Sequence, residues 1–158
     1  MTAVFAFLLG GVAGLRSMTA PAVVAWAARL GWIHLDGTPL SFLGRPAAAY
    51  ILTALMIGEL IGDKLPMTPS RTKPGPFIAR IVTGALAGAA LMAGLGQRLM
   101  LGAMVGACGA VAGTLGGYRA RTRLVPALGV RDYVVALAED VVAVGGGFLL
   151  ACLAARAG

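Results

Sequence analysis

The sequence predicts an all-α membrane protein, a bundle of about five transmembrane elements of which the first is broken. Hydrophobic residues make up 59% of the 158 residues and charged residues only 12%. Soluble domains are about 45–50% apolar and about 25% charged, so six acidic and thirteen basic residues are too few to cover a water-exposed surface. In addition, the bases fall mostly between apolar runs, which is typical of transmembrane topology.

The first element is interrupted near its middle. Thr2–Leu15 is apolar but has roughly fourteen residues, whereas a full span needs about twenty. A second apolar piece, Ala22–Ile33, follows, and Pro21 fits the first turn of its helix with Ser17 or Thr19 as the cap. We therefore expect one broken helix, or a short span followed by a re-entrant or interfacial helix.

Four further elements follow, and each is long enough to cross a membrane. They are Pro46–Leu65, Phe77–Gln97, Leu99–Gly117 and Tyr133–Ala155. Residues 34–45 and 66–76 have the prolines and polar residues of turns, and residues 118–132 form a basic loop. Between the third and fourth elements only Arg98 intervenes, which predicts a tight hairpin.

The net charge of +7 indicates membrane topology rather than nucleic-acid binding. Five elements would place eight bases on one face and four on the other, and the positive-inside rule makes the richer face cytoplasmic. This predicts a multi-pass protein of the bacterial inner membrane, with a cytoplasmic N-terminus and the C-terminus outside. If residues 2–15 and 18–33 each crossed, the count would be six and the C-terminus would lie inside, like the N-terminus. Membrane lipids are the expected partners, and nucleic acid is not expected.

A weak self-similarity predicts an inverted repeat. Gly14–Thr19 and Gly117–Thr122 share the pattern Gly-x-Arg-x-x-Thr, and each precedes an apolar helix with an internal acid, Glu59 or Glu139. The first and fourth elements are three crossings apart and would run in opposite directions, as in several transporter folds. A chance match in this glycine-rich chain is the alternative. The repeat units would be residues 1–66 and 99–156, linked by helix 77–97.

Charged side chains inside apolar elements are the strongest functional signal. A charge at the bilayer centre costs at least about 2.5–3.5 kcal/mol, so these residues should face the protein interior and find partners. We expect Arg16 to pair with the acids of the first unit and Arg119 with those of the second. The candidate binding or transport residues are Arg16, Thr19, Glu59, Asp63, Arg119, Thr122, Glu139 and Asp140.

These residues would form a polar site near the bilayer midplane, lined in part by the broken backbone after Arg16. Glu59 and Asp63 are four apart and share a helix face. The neighbours Glu139 and Asp140 diverge by about 100° around their helix, so only one can face a given partner. The site could bind an ion or a small polar solute, or relay a proton. The alternative is a structural arginine–glutamate lock that fixes the helix register.

Glycine pairs with four-residue spacing predict close helix contacts within or between subunits. They are Gly10/Gly14, Gly84/Gly88, Gly102/Gly106 and Gly113/Gly117. The sequence has no catalytic, phosphate-binding or metal-ligand motif, so we expect neither an enzyme nor a cofactor.

Three segments resemble a bacterial family of small integral membrane proteins, the domain-of-unknown-function family numbered 4126. They are Gly14–Pro21, Glu59–Pro66 and Ala138–Asp140. The most specific is the second, with its pattern Glu-x-x-x-Asp-Lys-x-Pro. The resemblance covers most of the chain and implies a membrane location and a role for the motif residues, but it implies no activity or substrate.

The expected function is a small transporter or channel for an ion or a small polar solute, including an anionic one. Five short helices enclose little cavity alone, so a homo-oligomer is expected. One alternative is a non-transporting accessory or assembly protein with a dry, fully paired charge cluster. Another is a lipid-modifying enzyme, whose acids would open towards lipid with arginines placed for a phosphate.

Overall fold

The computed structural model describes residues 1–62 and 73–157. Over these residues the chain forms six α-helices and one short 3₁₀ helix, Ser41–Gly44. The helices are α1 (Thr2–Leu15), α2 (Thr19–Arg29), α3 (Pro46–Gly62), α4 (Pro74–Gly94), α5 (Leu99–Leu128) and α6 (Asp132–Ala157). This confirms the all-α class and the broken first element, since α1 and α2 divide the residues expected to form it.

Three helices, α4, α5 and α6, are long and apolar enough to cross a membrane, and α1 and α3 are shorter apolar helices. Large apolar side chains cover the outside of the bundle, among them Ile61, Met100 and Val141, each more than 60% exposed. Soluble monomers rarely expose continuous apolar surface on this scale. The chain is therefore a membrane protein, as its composition predicts.

Glycines bring α1, α4 and α5 into backbone contact at the centre of the bundle. A Cβ atom at Gly10 would collide with the carbonyl oxygen of Gly106, and one at Gly88 would collide with the carbonyl oxygen of Gly102. Such close approach is possible only where side chains are absent. The predicted glycine contacts are thus confirmed, and they lie within one subunit.

Helices α1 and α5 run in the same direction. Gly10 lies against Gly106, and further along α1, Gly14 lies against Ala110 and Thr114, so the residue numbers rise together. The Thr114 hydroxyl donates a hydrogen bond of 3.1 Å to the Gly14 carbonyl oxygen. The opposite directions expected for these two helices, which were the basis for an inverted repeat, are therefore wrong.

The physical reason is a reversal of the chain directly after Arg16, which makes α1 and α2 an antiparallel hairpin. Val12 before the reversal and Val23 after it both lie next to Gly147 of α6. Asp140, which precedes Gly147, contacts Arg16 at the tip of the hairpin, so α6 is antiparallel to α1. The beginning of α1 and the end of α6 therefore lie at the same end of the bundle, and the expectation that they lie on opposite sides is wrong.

Helix α5 continues well past the predicted end of its apolar segment. Hydropathy predicts Gly117 as the last residue and a basic loop over residues 118–132, but the helix runs to Leu128 with Pro126 inside it. Arginine, alanine and leucine are good helix formers, so the loss of hydrophobicity did not end the helix. It ends at Gly129, whose φ of 62° places it in the left-handed conformation typical of helix C-termini.

Candidate functional site

Four charged side chains from four parts of the fold lie at one level of the bundle. We call them the charged layer: Arg16, Glu59, Arg80 and Asp140. They belong to the α1–α2 connection, α3, α4 and α6, respectively. The side chain of Arg16 is fully buried, and those of Arg80, Asp140 and Glu59 are 5%, 11% and 13% exposed. The layer is thus largely sealed by the helices around it.

Arg16 pairs with Asp140 of α6. Its Nε donates to the Asp140 Oδ1 at 2.7 Å, and its Nη2 lies 2.5 Å from the same oxygen. The sequence pairs Arg16 with acids of its own half, but the structure joins it to the far end of the chain. The reversal after Arg16 causes this, because it holds Arg16 at the hairpin tip, within reach of α6.

Glu59 of α3 caps the N-terminal end of α2 at the turn that leads into the helix. Its Oε1 accepts hydrogen bonds from the Ser17 amide (2.7 Å) and the Ser17 hydroxyl (2.8 Å), and its Oε2 accepts one from the Met18 amide (2.8 Å). The first amides of a helix lack intrahelical partners and favour negative charge. The expected cap by Ser17 or Thr19 is wrong, because α2 has Met18 at its N-cap and no side-chain cap of its own.

Two further polar residues adjoin this cap. The Arg80 Nη2 lies 4.0 Å from the Glu59 Oε1, so α4 adds a positive charge beside the carboxylate. Thr19, the first residue of α2, is fully buried, and within the described part of the chain its hydroxyl has no hydrogen-bond partner. Pro21 occupies the first turn of α2, as predicted.

The candidates from the second half of the chain lie mostly outside the layer. Arg119 and Thr122 are exposed on α5, and the Thr122 hydroxyl donates to the carbonyl oxygens of Tyr118 and Arg119 within the helix. Arg121, rather than Arg119, lies beside Glu139, with its Nη1 3.7 Å from the Glu139 Oε2. It also pairs with Asp132.

The divergence of the two adjacent acids on α6 is as expected. Asp140 faces Arg16 at the interior, whereas Glu139 faces α5. Asp63, the remaining candidate, lies outside the described residues. Of the eight candidates, the structure therefore brings Arg16, Thr19, Glu59 and Asp140 together around the hairpin tip.

The layer lies off the centre of the apolar bundle. Helix α1 has 14 residues and extends about 21 Å from the layer to its first residue. A hydrocarbon core is about 30 Å thick, so a core that begins at Thr2 places the layer about two-thirds of the way across. A core placed in this way would put the layer nearer to the end where α5 carries its arginines than to the midplane expected from the sequence.

A family model described as "Domain of unknown function (DUF4126)" matches residues 3–157. The chain belongs to the DUF4126 family. The match spans nearly the whole chain and confirms the resemblance based on the hairpin tip and the acids of α3 and α6. No curated protein and no solved structure matches the chain.

Arg80 is the site residue of this DUF4126 protein that the sequence did not single out. It lies near the start of an apolar segment, where an arginine is most simply explained by topology. The signal that could have identified it is its place inside the helix, since α4 begins six residues earlier at Pro74. An arginine one to two turns inside an apolar helix needs an acidic partner as much as Arg16 does.

Proposed function

We propose that the protein is a small membrane transporter or channel for an ion or small polar solute, most suitably an anionic one. The supporting observation is the Glu59 carboxylate bound to the Ser17 and Met18 amides at a helix break inside an apolar bundle. Transporters commonly place the amides of interrupted helices at anionic substrate groups. Here the protein's own carboxylate occupies such a position.

In this proposal an anion enters from the basic end of the bundle and replaces Glu59 at the hairpin tip. It would accept the hydrogen bonds of the Ser17 amide, the Ser17 hydroxyl and the Met18 amide. Arg80, 4.0 Å from the present carboxylate, would supply the compensating charge. Asp140 would keep Arg16 neutralised meanwhile, so that solute exchange does not expose a lone buried charge.

Flux from proteoliposomes tests this proposal. Purified protein is reconstituted, and release of chloride, phosphate and short carboxylates is measured alongside a proton-sensitive dye. The test variant is Glu59→Gln, and the matched control is Glu139→Gln, an acid on α6 that faces Arg121 rather than the hairpin tip. We expect flux of at least one solute, altered by Glu59→Gln and unchanged by Glu139→Gln. Absence of flux across the panel, or equal effects of the two variants, would refute the proposal.

A second candidate is an accessory or assembly protein in which the charged layer is a structural lock. The observation that favours it is the tight pairing of the fully buried Arg16 with Asp140. It predicts no flux, and loss of stability as the sole effect of layer variants. A lipid-modifying enzyme is less well supported, since Glu59 and Asp140 are largely enclosed, and we propose no catalytic role for them.

For orientation, we propose that the end carrying the charged layer faces the cytoplasm of a bacterial cell. Lys73, Arg119, Arg121, Arg123 and Arg131 lie towards that end, against Arg29, Arg45, Arg98 and Arg156 towards the other. The positive-inside rule then places both chain ends outside, in contrast to the cytoplasmic N-terminus expected from five elements. Alkaline phosphatase fused after Ala157 should be active, and green fluorescent protein at the same place should be dark. The reverse result would overturn this orientation.

We also propose that the transporting form is a homo-oligomer. The described helices pack on one another through glycine backbones, which leaves little space between α1, α4 and α5 for a pore within one subunit. Light scattering of the purified protein in detergent should give a mass of at least two chains after subtraction of the micelle. A monomer that is fully active in flux would refute oligomerisation without affecting the transport proposal.

A further inference from the structure

A cavity with charged walls lies at the end of the bundle opposite the charged layer. Its volume is about 460 Å³, and it lies between the end of α2, the segment 33–45 and the start of α3. Ile33 and Leu35 form part of its wall and are buried in the core. The segment is fixed to the bundle by a 2.9 Å hydrogen bond from the His34 amide to the Gly94 carbonyl oxygen.

The polar lining combines both signs of charge. Arg45, His34 and Ser41 line the cavity with groups that can donate hydrogen bonds, and all three residues are solvent-exposed. Pro46, the first residue of α3, also lines it, so the positive end of a helix dipole adjoins the same space. Asp36 supplies one negative charge. Such a lining fits a zwitterion that carries an anionic oxygen group and a cationic amine.

Aromatic residues indicate that this cavity lies at the level of the membrane–water interface. Trp26 packs edge-to-face against Tyr50, with ring centroids 5.7 Å apart, and its indole donates to the Thr53 hydroxyl at 2.9 Å. Trp32 directly precedes the segment 33–45, which lines the cavity. Tryptophan and tyrosine are enriched at the headgroup level of membranes.

We propose that this cavity binds a phosphate ester that carries a primary ammonium group, and that its source is a phosphatidylethanolamine headgroup. Arg45, with His34 and Ser41, binds the phosphate, and Asp36 binds the ammonium. Arginine is well suited to phosphate because its guanidinium can donate two parallel hydrogen bonds. The neighbouring side chains of Leu30 and Phe42 are 54% and 47% exposed and offer apolar surface for the acyl chains. This inference is independent of the transport proposal.

Lipid binding to the purified protein tests this inference by native mass spectrometry. The probes are dioleoyl lipids that differ only in headgroup: phosphatidylethanolamine, phosphatidylcholine and phosphatidylglycerol. The variants are Arg45→Gln and Asp36→Asn, with Arg98→Gln as the matched control, an exposed arginine at the same end of the bundle but outside the cavity. Thermal unfolding in detergent verifies that each variant folds, and a second series with soluble O-phosphoethanolamine distinguishes a lipid from a free ligand.

We expect phosphatidylethanolamine to bind best. Loss of one charge-assisted hydrogen bond should weaken its binding by about tenfold in Arg45→Gln and Asp36→Asn, and Arg98→Gln should leave it unchanged. Asp36→Asn should also remove the preference over phosphatidylcholine, whose quaternary amine has no N–H to donate. Stabilisation by O-phosphoethanolamine that depends on Arg45 and Asp36, without a lipid preference, would support the site's chemistry but overturn the lipid source. Equal binding of the three lipids, or equal losses in Arg45→Gln and Arg98→Gln, would overturn the inference.

Discussion

Replacing Asp140 with leucine should destabilise the protein by about 3–5 kcal/mol, because removal of one partner from a buried ion pair is strongly destabilising. Arg16 is fully buried, and the Asp140 Oδ1 lies within 2.7 Å of its Nε and 2.5 Å of its Nη2. Without the carboxylate, the buried guanidinium would lose the oxygen that both its Nε and its Nη2 contact. We expect Arg16→Met to cost a similar amount, since it leaves the carboxylate behind.

The double variant Arg16→Met/Asp140→Leu should recover most of the lost stability. Buried ion pairs replaced by apolar residues of similar volume are often neutral or stabilising. A matched control is Asp132→Asn, which removes the charge from the exposed partner of Arg121, since the Asp132 side chain is 62% exposed. Exposed pairs contribute about 0–1 kcal/mol, so this change should have little effect.

The assay is reversible unfolding in mixed micelles, followed by circular dichroism, for the wild type and the four variants. A coupling energy of more than about 2 kcal/mol between Arg16 and Asp140 is expected, within the range seen for residues in direct contact. Additive single effects, or an Asp140→Leu cost no larger than that of Asp132→Asn, would refute the reasoning. The double variant also bears on the choice between transport and a structural lock. A lock predicts that loss of stability is the sole effect of the single variants, and the double variant should reverse that loss.

Two further predictions follow from the packing and the cap. Gly106→Val should prevent folding or destabilise the protein strongly, because its side chain would meet the Gly84 backbone. Gly145→Val should be tolerated, since a Cβ there meets nothing within 4 Å. Expression and thermal stability in detergent measure the effect of each variant, and equal losses would contradict the prediction. Glu59→Gln should cost about 1–2 kcal/mol by the same unfolding assay, because the neutral amide loses the favourable charge at the α2 N-terminus and can accept fewer of its hydrogen bonds. A stability equal to that of the wild type would show that the cap does not depend on charge.

The sequence predicted that charges inside the membrane would pair, but it could not predict which ones. Arg16 was expected to be buried and paired, and it is, yet its partner is Asp140 rather than an acid of the first half. Partner choice depends on the chain reversal after Arg16, which hydropathy does not reveal because both flanking segments are apolar. Glu59 was singled out for its charge, whereas its three hydrogen bonds depend on the position of α3 beside the hairpin tip.

Helix ends were predicted where hydropathy and helix propensity change together. The third and fifth predicted elements, Phe77–Gln97 and Tyr133–Ala155, begin and end within three residues of α4 and α6, respectively. The end of α5 was missed because apolar character stops at Gly117 while good helix formers continue for several turns. Hydropathy alone reports where a helix leaves the membrane, and only a residue such as Gly129 marks where the helix itself ends.

The glycine contacts and the charged layer have different consequences for motion. Helices α1, α4 and α5 touch through backbone atoms and leave no room to slide without collision. By contrast, Glu59 joins α3 to the hairpin tip, and Asp140 joins α6 to Arg16, through side-chain hydrogen bonds. A solute anion that replaced Glu59 would therefore release α3 and leave the glycine core in place. Hydrogen–deuterium exchange with and without a transported anion should then increase in α3 and at the start of α2, and faster exchange in α1 and α5 instead would argue against this order of events.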